Sequence, residues 1–283
     1  MLVINTNVAS LNAQRNISTT QSSLATSLQR LSSGLRVNSA KDDAAGLYAA
    51  ELMSSSIRGI NQAVRNSSDG ISLAQTAEGA LGQVASNLQR IREIAVQSSN
   101  GTVADRTGLQ SEVDQLTQEI SRIVNTTEFN GKSLLASGGT VTFQVGQSGT
   151  ANNQVAVSTI GLNVAGSAGL NSFSGNLTAT GVVDVATASG ASASAAIASL
   201  DADIAKIAKT RATFGAVQNR FEAVISNLQN YSENLTAARS RIMDTDFAAE
   251  TANLTKSQVL QQAGVAMLSQ ANAAPQSVLA LLR

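Results

Sequence analysis

Residues 200–242 read LDADIAKIAKTRATFGAVQNRFEAVISNLQNYSENLTAARSRI. Leu200, Ile207, Phe214, Phe221, Leu228, Leu235 and Ile242 fall one every seven residues, and Val217, Val224, Tyr231 and Ala238 fill the intermediate position. Two apolar residues per heptad keep one stripe of a helix turned toward a partner, because their mean spacing nearly matches the helical turn. A seam held this long predicts a helix of about 60 Å at 1.5 Å per residue, built to lie along other helices.

The partner stripes lie in the first 129 residues. Leu24, Leu28, Leu31 and Leu35 recur at 4-3-4 spacing, with Ile17 one heptad before Leu24. Gly34 and Val37-Asn38-Ser39 interrupt that pattern, and Asp42 and Asp43 can cap a new helix through their side-chain oxygens. The new helix carries Ile57, Ile60, Val64, Ile71 and Ala74, and then Leu81, Val84, Leu88, Ile91 and Ala95. Ser98-Ser-Asn-Gly101 ends it. Thr102 with Asp105 resembles a capping box for a third helix whose stripe is Leu109, Val113, Leu116, Ile120 and Ile123. Gly59, Gly70, Gly79 and Gly82 sit inside the helical pattern, and close helix packing is the expected reason.

Between about 130 and 194 the chemistry changes. Asp184 is the only charged residue between Lys132 and Asp201. Val141, Phe143 and Val145 alternate, as do Val155 and Val157, with Gly146–Asn153 between them, which predicts a β-hairpin. Val183 and Val185 suggest a further strand. From about Ala195 the helical pattern returns, and after Asp244-Thr-Asp246 a last helix carries Leu260, Gly264, Met267, Ala271, Ala274, Val278 and Leu281.

Charged residues are only 13% of the 283, against roughly 25% in ordinary soluble chains, and the formal net charge is +0. No basic surplus points to nucleic acid or an anionic membrane. The chain has no His, Cys or Trp and a single Pro, Pro275. The usual ligands of zinc, haem and blue copper are missing, as are the parts of a Ser-His-Asp triad or a Cys nucleophile. No cofactor, metal site or enzymatic activity is expected. The segment Met1–Val8 lacks a basic region and a long apolar run, so it does not read as a secretory signal. No stretch approaches a membrane span, and by these rules alone the chain would stay in the cytosol.

The ends are unusual. From Met1 to Gln29 the only charged residue is Arg15, and from Thr251 to Leu282 the only one is Lys256. Asn, Gln, Ser, Thr and Ala stand where solvated helices carry Lys and Glu. Uncharged polar faces avoid the cost of desolvating ions while still hydrogen-bonding. The terminal helices therefore read as surfaces meant for burial against other chains, and both ends are expected to be disordered in the monomer and to fold on assembly. The residues assigned to self-assembly are Ile4, Val8, Leu11, Ile17, Leu24, Leu28, Leu31, Leu260, Met267, Val278 and Leu281.

Asn66-Ser-Ser68 and Asn234-Leu-Thr236 are glycosylation triplets expected by chance in so Ser/Thr-rich a chain. Asp42-Asp43 reads as capping rather than as a catalytic carboxylate pair.

Two groups of segments carry a family resemblance. Leu31-Ser-Ser-Gly-Leu-Arg-Val-Asn-Ser-Ala-Lys-Asp-Asp-Ala-Ala-Gly46 resembles the N-terminal signature of bacterial flagellin, extended by Ser68–Leu81, Gln89–Gln97 and Phe129-Asn-Gly131. Ala238–Phe247 and Pro275–Arg283 resemble its C-terminal half. The likeness spans roughly residues 1–165 and 195–283.

The resemblance implies a secreted structural subunit that polymerises into the flagellar filament. The implied fold is mainly α, a long antiparallel coiled-coil bundle of N- and C-terminal segments with a small β-hairpin region. Residues 1–43 with 244–283 would form an inner terminal-helix domain. Residues 44–165 with 195–243 would form a bundle with the hairpin, and 166–194 a short variable surface segment. Export through the flagellum's own type III apparatus would account for the missing signal. Implied partners are other copies of the chain, the hook-junction and cap proteins, and an export chaperone at about Leu254–Arg283, with Leu254, Leu260, Met267 and Leu281 as its contacts. The family is also a ligand of the animal Toll-like flagellin receptor, at positions matching Gln89, Arg90, Ile94 and Glu112, where Ile94 replaces the family's usual Leu. The Ser/Thr-rich centre resembles regions that carry O-linked sugars in flagellins.

Three other readings stand beside this one: a hook–filament junction protein with the same terminal design, a cytosolic coiled-coil scaffold, and an enzyme. The form of the last known in this family, an inserted His-Glu-x-x-His protease, is excluded by the absence of His.

Overall fold

The computed structural model describes residues 6–103, 105–163, 170, 172, 183–186 and 190–281, without the side chains of 190–194 and 274–281. The helices are α1 (Val8–Ser33), α2 (Ala44–Ser98), α3 (Thr107–Thr126), α4 (Gly190–Met243) and α5 (Phe247–Leu281). The strands are β1 (Glu128–Phe129), β2 (Lys132–Ser133), β3 (Gly139–Gln144) and β4 (Gln154–Thr159). The chain divides into two compact units, one of Met1–Ile57 with Glu233–Arg283 and one of Arg58–Ser232. These limits fall inside α2 and α4, to either side of the boundaries read from the sequence.

The second unit holds the large hydrophobic core. Ala77, Leu81, Val84, Leu88, Ile91 and Ala95 of α2 are wholly buried, as are Val113, Ile120 and Val124 of α3. They meet Leu200, Ile207, Phe214 and Phe221 of α4, the buried part of the heptad seam. Each such side chain contributes roughly 1.5–3 kcal/mol of apolar burial. Beyond Phe221 the seam loosens: Leu228, Leu235 and Ile242 are half-buried and Tyr231 is exposed.

β3 and β4 form the expected antiparallel hairpin, with Val141 opposite Val157 and Phe143 opposite Val155. Its inner face packs on the helices, and Phe143 meets Phe221 edge-to-face at 5.6 Å between ring centres. A smaller hairpin joins β1 to β2 through Asn130 and Gly131, whose φ angles are 50° and 73°. Two successive positive φ values make a type I′ turn, for which Asn-Gly is the favoured pair.

Several expectations are corrected here. Residues 183–186 form no strand. Val183 and Val185 are buried in the core, held because the Gln110 side chain donates to the Val183 carbonyl (3.1 Å) and accepts from the Val185 amide (2.8 Å). One amide side chain thus satisfies the backbone that a neighbouring strand would have satisfied. The capping box at Thr102 is not formed: Asp105 instead accepts from the Thr107 amide and hydroxyl, and Arg106 is the N-cap residue. Of the four helical glycines, only two are close-packed. A Cβ at Gly70 would lie 2.6 Å from the Phe221 ring and one at Gly59 would lie 3.2 Å from Gln147, whereas Gly79 and Gly82 face open space.

That difference yields opposite outcomes for the same substitution. Gly79→Ala should stabilise the fold by up to ~1 kcal/mol, the helix-propensity difference. Gly70→Ala should destabilise it by about 1–3 kcal/mol, because the buried Phe221 ring cannot move aside. Guanidinium unfolding followed by circular dichroism reads both, and equal midpoints for the two variants would contradict the packing at Gly70.

Candidate functional site

The centre of the first unit is the antiparallel pair α1–α5. Asn7 caps α1 by accepting from the Ser10 amide (3.1 Å) and ties it to α5 by donating to the Ala271 carbonyl (2.7 Å). Further along, Ile17 lies against Gly264, where a Cβ would come within 2.9 Å of its Cγ1. Next, Arg30 faces Glu250 at 3.7 Å. At the far end Leu35 and Asp244 form an antiparallel bridge.

The residues between the two helices are mostly polar or small. On α1 the inward face is Ser10, Ala13, Ile17, Thr20, Leu24, Ser27 and Leu31. On α5 it is Glu250, Leu254, Ser257, Gln261, Gly264, Leu268 and Ala271. Only Ser27, Glu250 and Ser257 are fully buried. Large apolar residues stand on both sides of the pair: Ile17, Leu24, Leu31, Leu254 and Leu268 are half-buried between the helices, while Val8, Leu11 and Leu28 on α1 and Val259, Leu260, Val265 and Met267 on α5 stand outside, each about half exposed or more. The stripe Ile17, Leu24 and Leu31 read from the sequence faces inward, but Leu28, Leu260 and Met267, placed in the same stripes as Leu24 and Gly264, do not.

The outward array leaves apolar burial on the order of 5–10 kcal/mol unused, comparable to the net stability of a whole domain. The pair is held by the half-buried Ile17, Leu24, Leu31, Leu254 and Leu268, by the Asn7–Ala271 hydrogen bond and by Arg30–Glu250. The Glu250 side chain is 9% exposed and that of Arg30 is 32% exposed, and the Arg30 Nε is buried with no partner among the described residues. Such a pair contributes little net stability but penalises any register that separates its charges.

The α1–α2 and α4–α5 junctions are bonded to each other. Gly34 ends α1 in the left-handed conformation at φ 70°, which only Gly adopts without strain. The Arg36 amide then donates to the Met243 carbonyl (2.6 Å), the Thr245 amide to the Gly34 carbonyl (3.0 Å), and the Arg36 guanidinium to the Ile242 carbonyl (2.8 Å). Asp43 caps α2 as expected, accepting from the Gly46 amide. Asp42 does a different job: it accepts from the Ser39 hydroxyl and from the Ser39 and Asn38 amides, folding the loop before the helix. Those bonds, the Ser39 hydroxyl first, hold its carboxyl below the usual aspartate range.

Of the assigned assembly residues, Val8, Leu11, Leu28, Leu260 and Met267 are exposed, while Ile17, Leu24 and Leu31 are half-buried in the α1–α5 seam, as is Leu254. Ile4 and the side chains of Val278 and Leu281 lie outside the described residues.

The receptor-patch residues sit in the second unit. Gln89 is exposed, and Arg90 donates to Glu112 at 2.8 Å and to Glu93 at 3.0 Å. The bonds to Glu112 and then Glu93 push the guanidinium pKa up from its ordinary value. Ile94 is wholly buried in the core, so it can support that face from beneath but presents no surface of its own. The sequence reading took in Glu93 only as a neighbour within Gln89–Gln97; its i, i+3 spacing from Arg90 is the signal for the pair.

Among the described residues no group of three metal-ligating side chains occurs, and no helix is long and apolar enough to cross a membrane.

The comparisons agree on one family. Residues 4–140 match the bacterial flagellin N-terminal helical region, and residues 197–282 match the bacterial flagellin C-terminal helical region. The chain is 45% identical over 285 residues to a flagellin of Halalkalibacterium halodurans, covering 100% of both chains. It is 43% identical over 302 residues to a flagellin of Bacillus subtilis, covering 99% of both. Its fold is similar to that of a chain described as a flagellar hook-associated protein from Vibrio parahaemolyticus, with TM-score 0.62 and 15% identity, covering 72% of this chain and 100% of that one.

The Asp42 loop has a definite acid response. A carboxylate whose folded pKa lies below its unfolded value of about 3.9 stabilises the fold at neutral pH. That contribution fades as pH falls through the depressed folded value. Amide protection at Asn38 and Ser39, taken relative to the intrinsic exchange rate at each pH, should therefore fall at acid pH in the native chain. In Asp42→Asn it should already be low at pH 7 and show no such transition. A transition that persisted in the variant would assign the loop's acid sensitivity to another group.

Proposed function

The chain belongs to the bacterial flagellin family, a family of structural filament subunits, and from that membership we propose that it polymerises into an extracellular flagellar filament through its two terminal helices. The observation that carries this reading is the set of large apolar side chains that the α1–α5 pair leaves exposed. Val8, Leu11, Leu28, Val259, Leu260, Val265 and Met267 find no burial within the pair, and further copies can provide it. The near absence of charge in Met1–Gln29 and Thr251–Leu282 serves the same end, since few ions need be desolvated when copies close around the pair.

On this reading residues 1–43 with 244–283 form the inner domain of the polymer, and α1 and α5 pair stably only once neighbours cover Val8, Leu11, Leu28, Leu260 and Met267. The same exposed Leu260 and Met267, with Leu254, would be the contacts for an export chaperone before assembly. Hook-junction and cap proteins would meet the ends of the polymer through the same helices, and export would run through the type III route. The alternative, a hook–filament junction protein, shares the terminal helices, and the fold likeness to the Vibrio protein does not separate the two. The identity to flagellins along the whole chain favours the filament subunit.

A second role concerns Gln89, Arg90 and Glu112. Arg90 is exposed, with its guanidinium oriented by Glu112 and Glu93, which suits recognition by the animal Toll-like flagellin receptor. Ile94 would act there only by supporting α2 from within.

Two experiments test these readings. Purified chain added to filament seeds should elongate them into long filaments visible by electron microscopy, and removal of either Met1–Gly34 or Thr251–Arg283 should abolish growth. Growth by both truncations would sink the terminal-helix mechanism, and seeds capped by one or a few subunits without elongation would favour the junction protein. In reporter cells expressing the receptor, Arg90→Ala should weaken signalling by the monomer roughly tenfold or more, as loss of an interfacial arginine anchor does. An unchanged response would remove Arg90 from the contact.

A further inference from the structure

Met267 occupies a position that the α1–α5 seam does not need. The inward face of α5 passes through Gly264, Leu268 and Ala271, and Met267 stands beside that line with 65% of its surface exposed. It lines a cleft together with Ala13 and Ile17 of α1, Leu260, Ala263 and Gly264 of α5, and the polar side chains of α1 between residues 12 and 20. The cleft exists because the two helices approach closely at Gly264, so the thioether projects past the groove instead of filling it. Met53 and Met243, the other methionines among the described residues, are half-buried.

We propose that the Met267 thioether is an oxidation site for hydroperoxides, and that its sulfoxide bars the free subunit from joining the polymer. This rests on the assembly function proposed above. A sulfur lone pair attacks one oxygen of the hydroperoxide. The S–O bond forms as the O–O bond breaks, sulfur loses two electrons, and the departing oxygen leaves with a proton as water or alcohol. Methionine sulfoxide is polar and chiral where the thioether was soft and apolar. In the free subunit the new oxygen is solvated and costs nothing. Once a neighbouring copy covers the cleft, that oxygen loses its water beside Ala13, Ile17, Leu260 and Ala263, and the Thr19 and Thr20 hydroxyls of the same lining already donate to carbonyls of α1. Oxidation is therefore tolerated in the free subunit and selected against at the growing end. In the finished filament the sulfur is covered and protected.

Tryptic cleavage after Lys256 gives the peptide Ser257–Arg283, in which Met267 is the single methionine. The free subunit treated with hydrogen peroxide should gain one oxygen in this peptide before the peptides carrying Met53 or Met243. Preformed filaments should resist at this position. Seed elongation by the oxidised subunit should slow roughly tenfold or more, the factor expected for one unpaired buried acceptor. It should recover after treatment with methionine sulfoxide reductases, and Met267→Leu should elongate normally and stay insensitive to peroxide. Faster oxidation at Met53 or Met243 would overturn the site. A Met267→Leu variant as peroxide-sensitive as the native chain would overturn the mechanism. Normal elongation by chain oxidised at Met267 would remove this position from the contact, and the truncations would still decide separately whether the terminal helices build the filament.

Discussion

Small residues sit on the contact line of α1 and α5, and this line conditions the rest of the first unit: Ser27 and Ser257 are buried there, and a Cβ at Gly264 would fall 2.9 Å from Cγ1 of Ile17. Two helices can approach closely only where side chains are small, and here the small residues are also hydrogen-bonding ones. The approach leaves no room for Leu28, Leu260 or Met267 between the helices, so these turn outward. It also brings Arg30 within 3.7 Å of Glu250, close enough to be costly to misalign and too weakly compensated to hold the pair together by itself. The outcome is a helix pair with a well-defined register and modest intrinsic adhesion.

The second unit follows the opposite logic. There the contact line of α4 is Leu200, Ile207, Phe214 and Phe221, all buried, and the space for the largest of them is made on the partner helix. Gly70 of α2 lies directly under the Phe221 ring, and Phe143 of the β3–β4 hairpin closes on its edge. Adhesion comes from area and shape together, so this unit needs no other copy to satisfy its apolar residues. Its surface ion pairs, such as Arg92 with Asp201 and Arg122 with Glu119, are exposed and screened by solvent, so they add little to that adhesion.

This contrast explains what was legible in the sequence. The heptads of 200–221, the α2 and α3 stripes and the β3–β4 alternation were readable because apolar residues there mark the buried face. In α1 the stripe Ile17, Leu24 and Leu31 was readable as well, with Leu28 alone standing outside it; in α5 Gly264 and Ala271 take the inward face and Leu260 and Met267 do not, so apolar size there misleads. The family resemblance placed Ile94 on a receptor surface, although its position three residues past Ile91 and beside Ala95 marks it as core. The Gln110 clamp on Val183 and Val185 had no sequence signal, since one amide side chain bonding a segment more than 70 residues away follows no local rule. The β1–β2 turn did have one: Asn130-Gly131 is the favoured type I′ pair, passed over because its strands are only two residues each.

The low charge of the ends and the outward apolar residues are two parts of one solution. A subunit that must stay soluble before assembly cannot expose a continuous apolar patch, and a subunit that must later be buried cannot be ringed by ions. Asn, Gln, Ser and Thr between the exposed Val, Leu and Met residues break the patch at little desolvation cost. Several of these hydroxyls, among them Thr19, Thr20, Ser23 and Thr26, already bond to carbonyls of their own helix. Their polar groups are therefore partly satisfied before any neighbour arrives, which lowers the cost of taking them out of water. In the proposed polymer, covering α1 and α5 buries Val8, Leu11, Leu28, Val259, Leu260, Val265 and Met267, which the single chain leaves exposed, and that burial is the favourable term.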